Sequence, residues 1–132
     1  VRGPLFASQA AAAAMKDGGN IINIGSMASL KPFPGGAVYS PSKAALDAMS
    51  RVLAVELAPR KIRVNAVLPG PVETEGTHAM DDWEQFKTML LPRTPLGRIG
   101  EPRDIAKVVS FLASEDAGWM TGQIVEAAGG FN

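Results

Sequence analysis

Asn20-Ile21-Ile22-Asn23-Ile24-Gly25-Ser26 is followed by Tyr39-Ser40-Pro41-Ser42-Lys43 at the head of an alanine-rich segment, and then by Arg63-Val64-Asn65-Ala66-Val67-Leu68-Pro69-Gly70. Read together, these three stretches decide the fold. The first and last are short, rich in β-branched residues and closed by Gly or Pro, as buried strands are. The middle one keeps a helical pattern from Tyr39 or Ser40 to Leu57, and Pro41 is tolerable only because it falls in the first turn, where its missing N–H is not needed. Strand, helix, strand argues for parallel pairing through a right-handed crossover.

The same alternation continues outward. Leu5 to Lys16 holds good helix formers, with Gly18-Gly19 just past its end. Lys31 to Gly36, rich in Pro and Gly, is a loop. Beyond Pro69-Gly70-Pro71, Val72 to Met80 reads as loop and Asp81 to Leu91 as a short helix, which Pro92 and Pro95 break. Pro102 opens a third long helix with Ile105, Val108, Val109 and Leu112 at helical spacing, and Gln123 to Ala127 closes as a strand before Gly129-Gly130. The expected fold class is α/β, with three strands in an open parallel sheet and helices on its faces. In the helix from Tyr39, Leu46, Met49, Leu53 and Leu57 form one apolar face. Ala44, Ala45, Ala48, Val52 and Val55 cover much of the rest, so a second neighbour is expected, namely another copy in a homo-oligomer.

At 132 residues the chain fits a single domain, and 46% apolar residues are enough for a core. Thirteen basic residues balance thirteen acidic ones, which argues against a nucleic-acid surface and for a small-molecule partner. With no cysteine and one histidine, His78, neither a disulfide framework nor a histidine or thiolate metal centre is offered, and no metal is expected. No apolar stretch has the length of a membrane span, so no membrane partner is expected. A reducing, cytoplasmic setting is the expectation that cysteine usage allows.

Tyr39 and Lys43 stand four residues apart, so one helical turn puts a phenol and an ammonium on one face. A unit charge about 4 Å away is worth about 4 kcal/mol at an effective dielectric of about 20, enough to make the phenol a usable proton donor and acceptor. Tyr39 is thus the candidate general acid or base for a carbonyl–alcohol pair. Ser26, at a strand end, would hydrogen-bond the same oxygen. Lys43 would also hold a ribose, and because no side chain carries hydride, the chemistry calls for NAD or NADP. In open parallel sheets, ligands gather at the carboxyl ends of strands, where Ser26 and Pro69-Gly70 fall.

Asn23-Ile24-Gly25-Ser26, Tyr39-Ser40-Pro41-Ser42-Lys43, Arg63 to Thr74, and Thr121-Gly122-Gln123 with Gly129-Gly130 together resemble the C-terminal half of a short-chain dehydrogenase/reductase of the ketoacyl-reductase or glucose-dehydrogenase-like kind. The resemblance implies the C-terminal part of a Rossmann-like doubly wound sheet. It also implies Ser26, Tyr39 and Lys43 as catalytic residues, and Pro69, Gly70, Val72 and Thr74 along the nicotinamide side with Tyr39 and Lys43. The family's glycine-rich turn, ribose selector and Asn-Ala-Gly stretch have no counterpart here, and its catalytic asparagine would fall about one residue before Val1. A partial domain over 1–132 is therefore expected, a fragment lacking the dinucleotide-binding half, and its first strand is expected to be an edge.

The leading function is an NAD(P)-dependent oxidoreductase interconverting a ketone and a secondary alcohol, with Val72 to Pro95 as a substrate lid and Trp83, Phe86 and Met89 as its apolar contacts. The alternative is a truncated, catalytically silent assembly module that associates through the helices Leu5–Lys16 and Ser40–Leu57. A hydrolase triad of Ser26, His78 and Asp81 or Asp82 lacks a nucleophile elbow. The acidic stretch Glu73 to Glu84 lacks the ordered ligand spacing of a cation site. Met27, Met80, Met89 and Met120 could line a substrate pocket or serve as packing.

Overall fold

The computed structural model describes all 132 residues and is organised around its middle strand, β2 (Arg63–Pro69). β1 (Asn20–Ile24) and β3 (Ile124–Ala127) pair with it on either side, both parallel, giving the order β1-β2-β3. The register sets Asn20 opposite Arg63 and Ile24 opposite Val67, then Ala66 opposite Ile124 and Pro69 opposite Ala127. Val64, Ala66, Val67 and Leu68 are fully buried, which is why β2 reads as a continuous apolar run instead of an alternating one.

Each face of the sheet has its own helix. Ile21 and Val64 pack with Met49, Leu53, Ala54 and Leu57 of α2 (Tyr39–Leu57). Ile22, Val67 and Val125, turned the other way by the strand's period of two, pack with Ile105, Val108, Val109 and Leu112 of α5 (Pro102–Ala113). Burying a Val or Leu at such positions contributes roughly 1.5–3 kcal/mol each. Asn65 is buried as well; its Oδ1 accepts the Gln123 N–H at 3.0 Å and its Nδ2 donates to the Met120 carbonyl at 2.8 Å. That bond draws the Gln123 N–H to a side chain, and β3 begins one residue later than expected.

The helices differ further from the sequence-based expectation, and β2 runs one residue longer, to Pro69. α1 spans Arg2–Ala14 instead of Leu5–Lys16. Pro4 is accommodated in its first turn, and the Arg60 guanidinium closes its far end by donating to the Ala12 and Met15 carbonyls, both at 2.6 Å. The stretch Val72–Met80, expected as loop, contains a short helix, α3 (Glu75–His78). Thr74 and Thr77 build it by exchanging side-chain and backbone hydrogen bonds in a capping box. α4 (Trp83–Leu90) starts two residues later than Asp81 and runs into a 3-10 turn at Leu91–Arg93.

No helix is long and apolar enough to cross a membrane.

Candidate active site

The carboxyl ends of β1 and β2 lie side by side, and the chain stays parallel one residue beyond β1, because the Gly25 N–H donates to the Val67 carbonyl at 2.8 Å. Gly25 has to be small. A Cβ there would stand 2.4 Å from the Leu68 Cδ2 and 3.0 Å from Asp47 Oδ1, a buried carboxylate oxygen with no hydrogen-bond partner in the chain. Ser26 follows in extended conformation and caps a single 3-10 turn, Met27–Ser29. Its Oγ accepts the Ala28 N–H at 3.1 Å, and its carbonyl accepts the Ser29 hydroxyl at 2.9 Å. Accepting through a lone pair leaves the Ser26 hydroxyl proton available as a donor.

Tyr39 is the first residue of α2, and its side chain is 46% exposed. Two bonds build this end of the helix. The Ser40 N–H donates to the Gly36 carbonyl at 2.9 Å and the Ser42 hydroxyl to the Tyr39 carbonyl at 2.7 Å. Lys43 lies one turn on, its Nζ 5.7 Å from the centre of the Tyr39 ring. That Nζ donates to the carbonyl of Ile24, the last residue of β1, at 3.2 Å. The lysine therefore ties α2, with Tyr39 in its first turn, to the strand end from which Ser26 emerges.

Of the residues expected on the nicotinamide side, Pro69 ends β2 and Gly70 follows it, packed so closely that a Cβ would stand 2.7 Å from the Ala128 Cα. Val72 forms an isolated parallel bridge with Gly100, reinforced by Gly100 N–H to the Pro71 carbonyl and Glu73 N–H to the Gly100 carbonyl, each 2.9 Å. Pro69 to Val72 is thus a held, half-buried rim. Thr74 lies beyond it, exposed, with its oxygen accepting the Thr77 N–H.

The lid reading needs correction at one residue. Trp83 is only 6% exposed, because it packs with Leu90, Ile99 and Phe131 in a small cluster under α4. Phe86 and Met89 are exposed, as a lid contact requires, and so is Met80. Met27 is buried and Met120 packs against the α5 side of the sheet, so these two are packing residues. His78 faces Trp83 with ring centres 6.5 Å apart, in an open cleft shared with Glu73, Asp81 and Glu84, while Ser26 is bonded to its own 3-10 turn. No hydrolase triad forms. No three His, Asp or Glu side chains converge as metal ligands.

Two features escaped the sequence reading. Lys87 of α4 forms an ion pair with Glu73, and their hydrogen bond holds the Glu73 carboxyl below and the Lys87 ammonium above their usual ranges. An acid fourteen residues before a lysine carries no sequence signal. The second is Phe33, whose ring centre stands 6.4 Å from that of Tyr39. An aromatic residue in a Pro/Gly-rich segment could have drawn notice by its type alone.

Comparison with known proteins agrees with this arrangement. A family model described as Enoyl-(Acyl carrier protein) reductase matches residues 1–132. An uncharacterized oxidoreductase of Methylorubrum extorquens is 54% identical over 131 residues, which cover 98% of this chain and 53% of the relative. The 3-oxoacyl-[acyl-carrier-protein] reductase FabG of Thermotoga maritima is 42% identical over 112 residues, covering 85% of this chain and 45% of the relative. Among solved structures, the angucycline C-6 ketoreductase LanV with bound NADP superimposes with a TM-score of 0.90 at 35% identity, over 99% of this chain and 50% of the other. The chain spans about half the length of the curated relatives it matches. A parallel sheet with Ser26, Tyr39 and Lys43 at its carboxyl edge, matched along its whole length by oxidoreductases, belongs to the short-chain dehydrogenase/reductase family.

Proposed function

We propose that this chain forms the proton-transfer side of an NAD(P)-dependent oxidoreductase that interconverts a ketone and a secondary alcohol. The observation that carries the proposal is the Lys43 ammonium, anchored to the Ile24 carbonyl and standing one helical turn from the half-exposed Tyr39 phenol. In reduction, Tyr39 gives its proton to the carbonyl oxygen as the carbonyl carbon accepts hydride; in oxidation, it takes the alcohol proton. Lys43 sets a positive charge one helical turn from the phenol. Ser26 donates its hydroxyl proton in a hydrogen bond to the same oxygen, where negative charge develops.

The residues present fit a nicotinamide cofactor. Lys43 has three N–H donors and spends one on Ile24, which leaves two for ribose hydroxyls. Pro69, Gly70 and Val72 offer a rigid, largely apolar rim to the nicotinamide face, with Thr74 at its outer end. When bound, the nicotinamide supplies or removes the hydride. The family uses NAD(P), and the LanV structure contains NADP, which supports the same cofactor class here. We propose further that copies of the chain associate through α2, on which Val52 and Val55 are exposed opposite the buried Leu53 and Ala54.

The test is Tyr39→Phe in the complete gene product. Turnover is expected to fall by about 100-fold or more, while NADPH or NADH affinity by nicotinamide fluorescence stays within about two-fold. Retained turnover would remove Tyr39 from the reaction.

A further inference from the structure

Between Ser26 and Tyr39 the chain presents a surface of one chemical kind. Leu30, Phe33 and Val38 are exposed, and no carboxylate or amide side chain occurs among them. The segment's two polar side chains are Ser29, half-buried and with its hydroxyl proton spent on the Ser26 carbonyl, and Lys31, which can only donate.

Phe33 is the fixed point of this surface. The Gly36 N–H closes a turn on the Phe33 carbonyl at 3.0 Å. The ring folds back over Gly36, so that a Cβ there would stand 3.3 Å from the Phe33 Cζ and 3.0 Å from its carbonyl oxygen. Its plane is tilted 49° to that of Tyr39, with centres 6.4 Å apart. An aromatic wall is therefore already in place beside the phenol.

We propose that this wall docks the substrate, that the substrate is a ketone on an aryl or other bulky apolar ring system, and that Phe33 is its specificity-determining residue. The inference rests on the reading of Tyr39 as proton donor. A polyhydroxylated ketone would lay hydroxyl groups on Leu30, Phe33 and Val38, exposed apolar side chains that offer them no partner. A small aliphatic ketone would leave the ring uncovered. A fused or substituted ring packs on Phe33 offset or edge-on while its carbonyl faces Tyr39 and Ser26.

The test compares 1-tetralone with ethyl acetoacetate on the complete gene product. Wild type is expected to favour 1-tetralone. Phe33→Ala should lower kcat/KM for it about three- to ten-fold, chiefly through KM, and leave ethyl acetoacetate within about two-fold, whereas Phe33→Tyr keeps the preference. Quenching of 2-naphthol fluorescence reads docking without turnover. Affinity should drop in Phe33→Ala and persist in Tyr39→Phe. Equal loss on both ketones, or naphthol affinity unchanged in Phe33→Ala, overturns the assignment of Phe33. Naphthol binding that depends on Phe33 without reduction of either ketone would leave the wall standing and refute the proton-donor reading instead.

Discussion

Under the proposed mechanism Ser26 does two jobs with one oxygen. It caps the turn Met27–Ser29 by accepting the Ala28 N–H, and its proton remains free to stabilise a developing oxyanion. Ser26→Ala removes both. Loss of the cap is expected to cost about 1 kcal/mol of stability, read by denaturant midpoint, while loss of the donor lowers kcat about 100- to 1,000-fold. The two effects separate in Ser26→Thr, which keeps the oxygen and should restore most of the stability and part of the rate. If Ser26→Ala loses stability alone, the serine is a cap and nothing more. At this scale the placement of Lys43 one turn from Tyr39 was legible in the sequence, since helical spacing alone brings it there. The partner of the Lys43 ammonium was not, because a backbone carbonyl has no sequence signature. Nor was the need for glycine at position 25, which comes from the Leu68 side chain of the neighbouring strand.

At the scale of elements, what the sequence revealed and what it hid divide along a physical line. β1, β2, α2 and α5 were legible because local pattern and tertiary burial agree in them: β-branched runs between Gly and Pro, and apolar residues at helical spacing. α1 ends where the Arg60 guanidinium meets its carbonyls, a contact between residues 48 positions apart that no local window contains. α3 exists through a Thr74–Thr77 exchange that lacks the acidic third residue by which capping boxes are usually read. The attachment of α4 is of the same non-local kind, since the Glu73–Lys87 pair ties it to the rim that leaves β2. The lysine hydrogen bond holds Glu73 below its ordinary value of 4.5, so the pair's contribution is present above that value and is lost as pH falls through the lower folded one. Lys87 is raised above 10.5, so the pair's contribution persists through the neutral range and disappears only in strong alkali. Trp83, buried under α4, reports the change in a Trp119→Phe background. Its emission should hold steady down to below pH 4.5 and then shift to the red. In Lys87→Met, which has no pair at any pH, the emission should already be red-shifted at neutral pH and the acid transition should be absent. A Lys87→Met variant with wild-type emission and a wild-type acid transition would show that the pair does not hold α4.

For the molecule as a whole, the open question is what covers α2. Its inward side is sealed by Leu46, Leu53 and Ala54, while Ala44, Ala48, Val52 and Val55 form an exposed stripe of small apolar residues, spaced three or four apart, with Arg51 as the one charge on it. Val55 is 77% exposed. Such a stripe lets a second helix approach closely, and in an isologous dimer one apolar patch meets its own copy, so each residue counts twice. A carboxylate at the end of that stripe is desolvated by the contact, and although Arg51, exposed one turn before it, offsets part of the cost, about a few kcal/mol per site remain. Val55→Glu is therefore expected to reduce the mass measured by light scattering from a multiple to that of a single chain, with far-UV circular dichroism unchanged. Asp82→Lys, an equally exposed charge change in the lid, should leave the mass alone. A wild type that already runs at single-chain mass, or a Val55→Glu that keeps the wild-type mass, would refute association through α2. Because Tyr39 and Lys43 sit at the opening turns of the same helix, the variant also separates two roles. Lost assembly with retained turnover makes the stripe purely an interface, whereas assembly in a wild type that never turns over supports the reading of the chain as an assembly module.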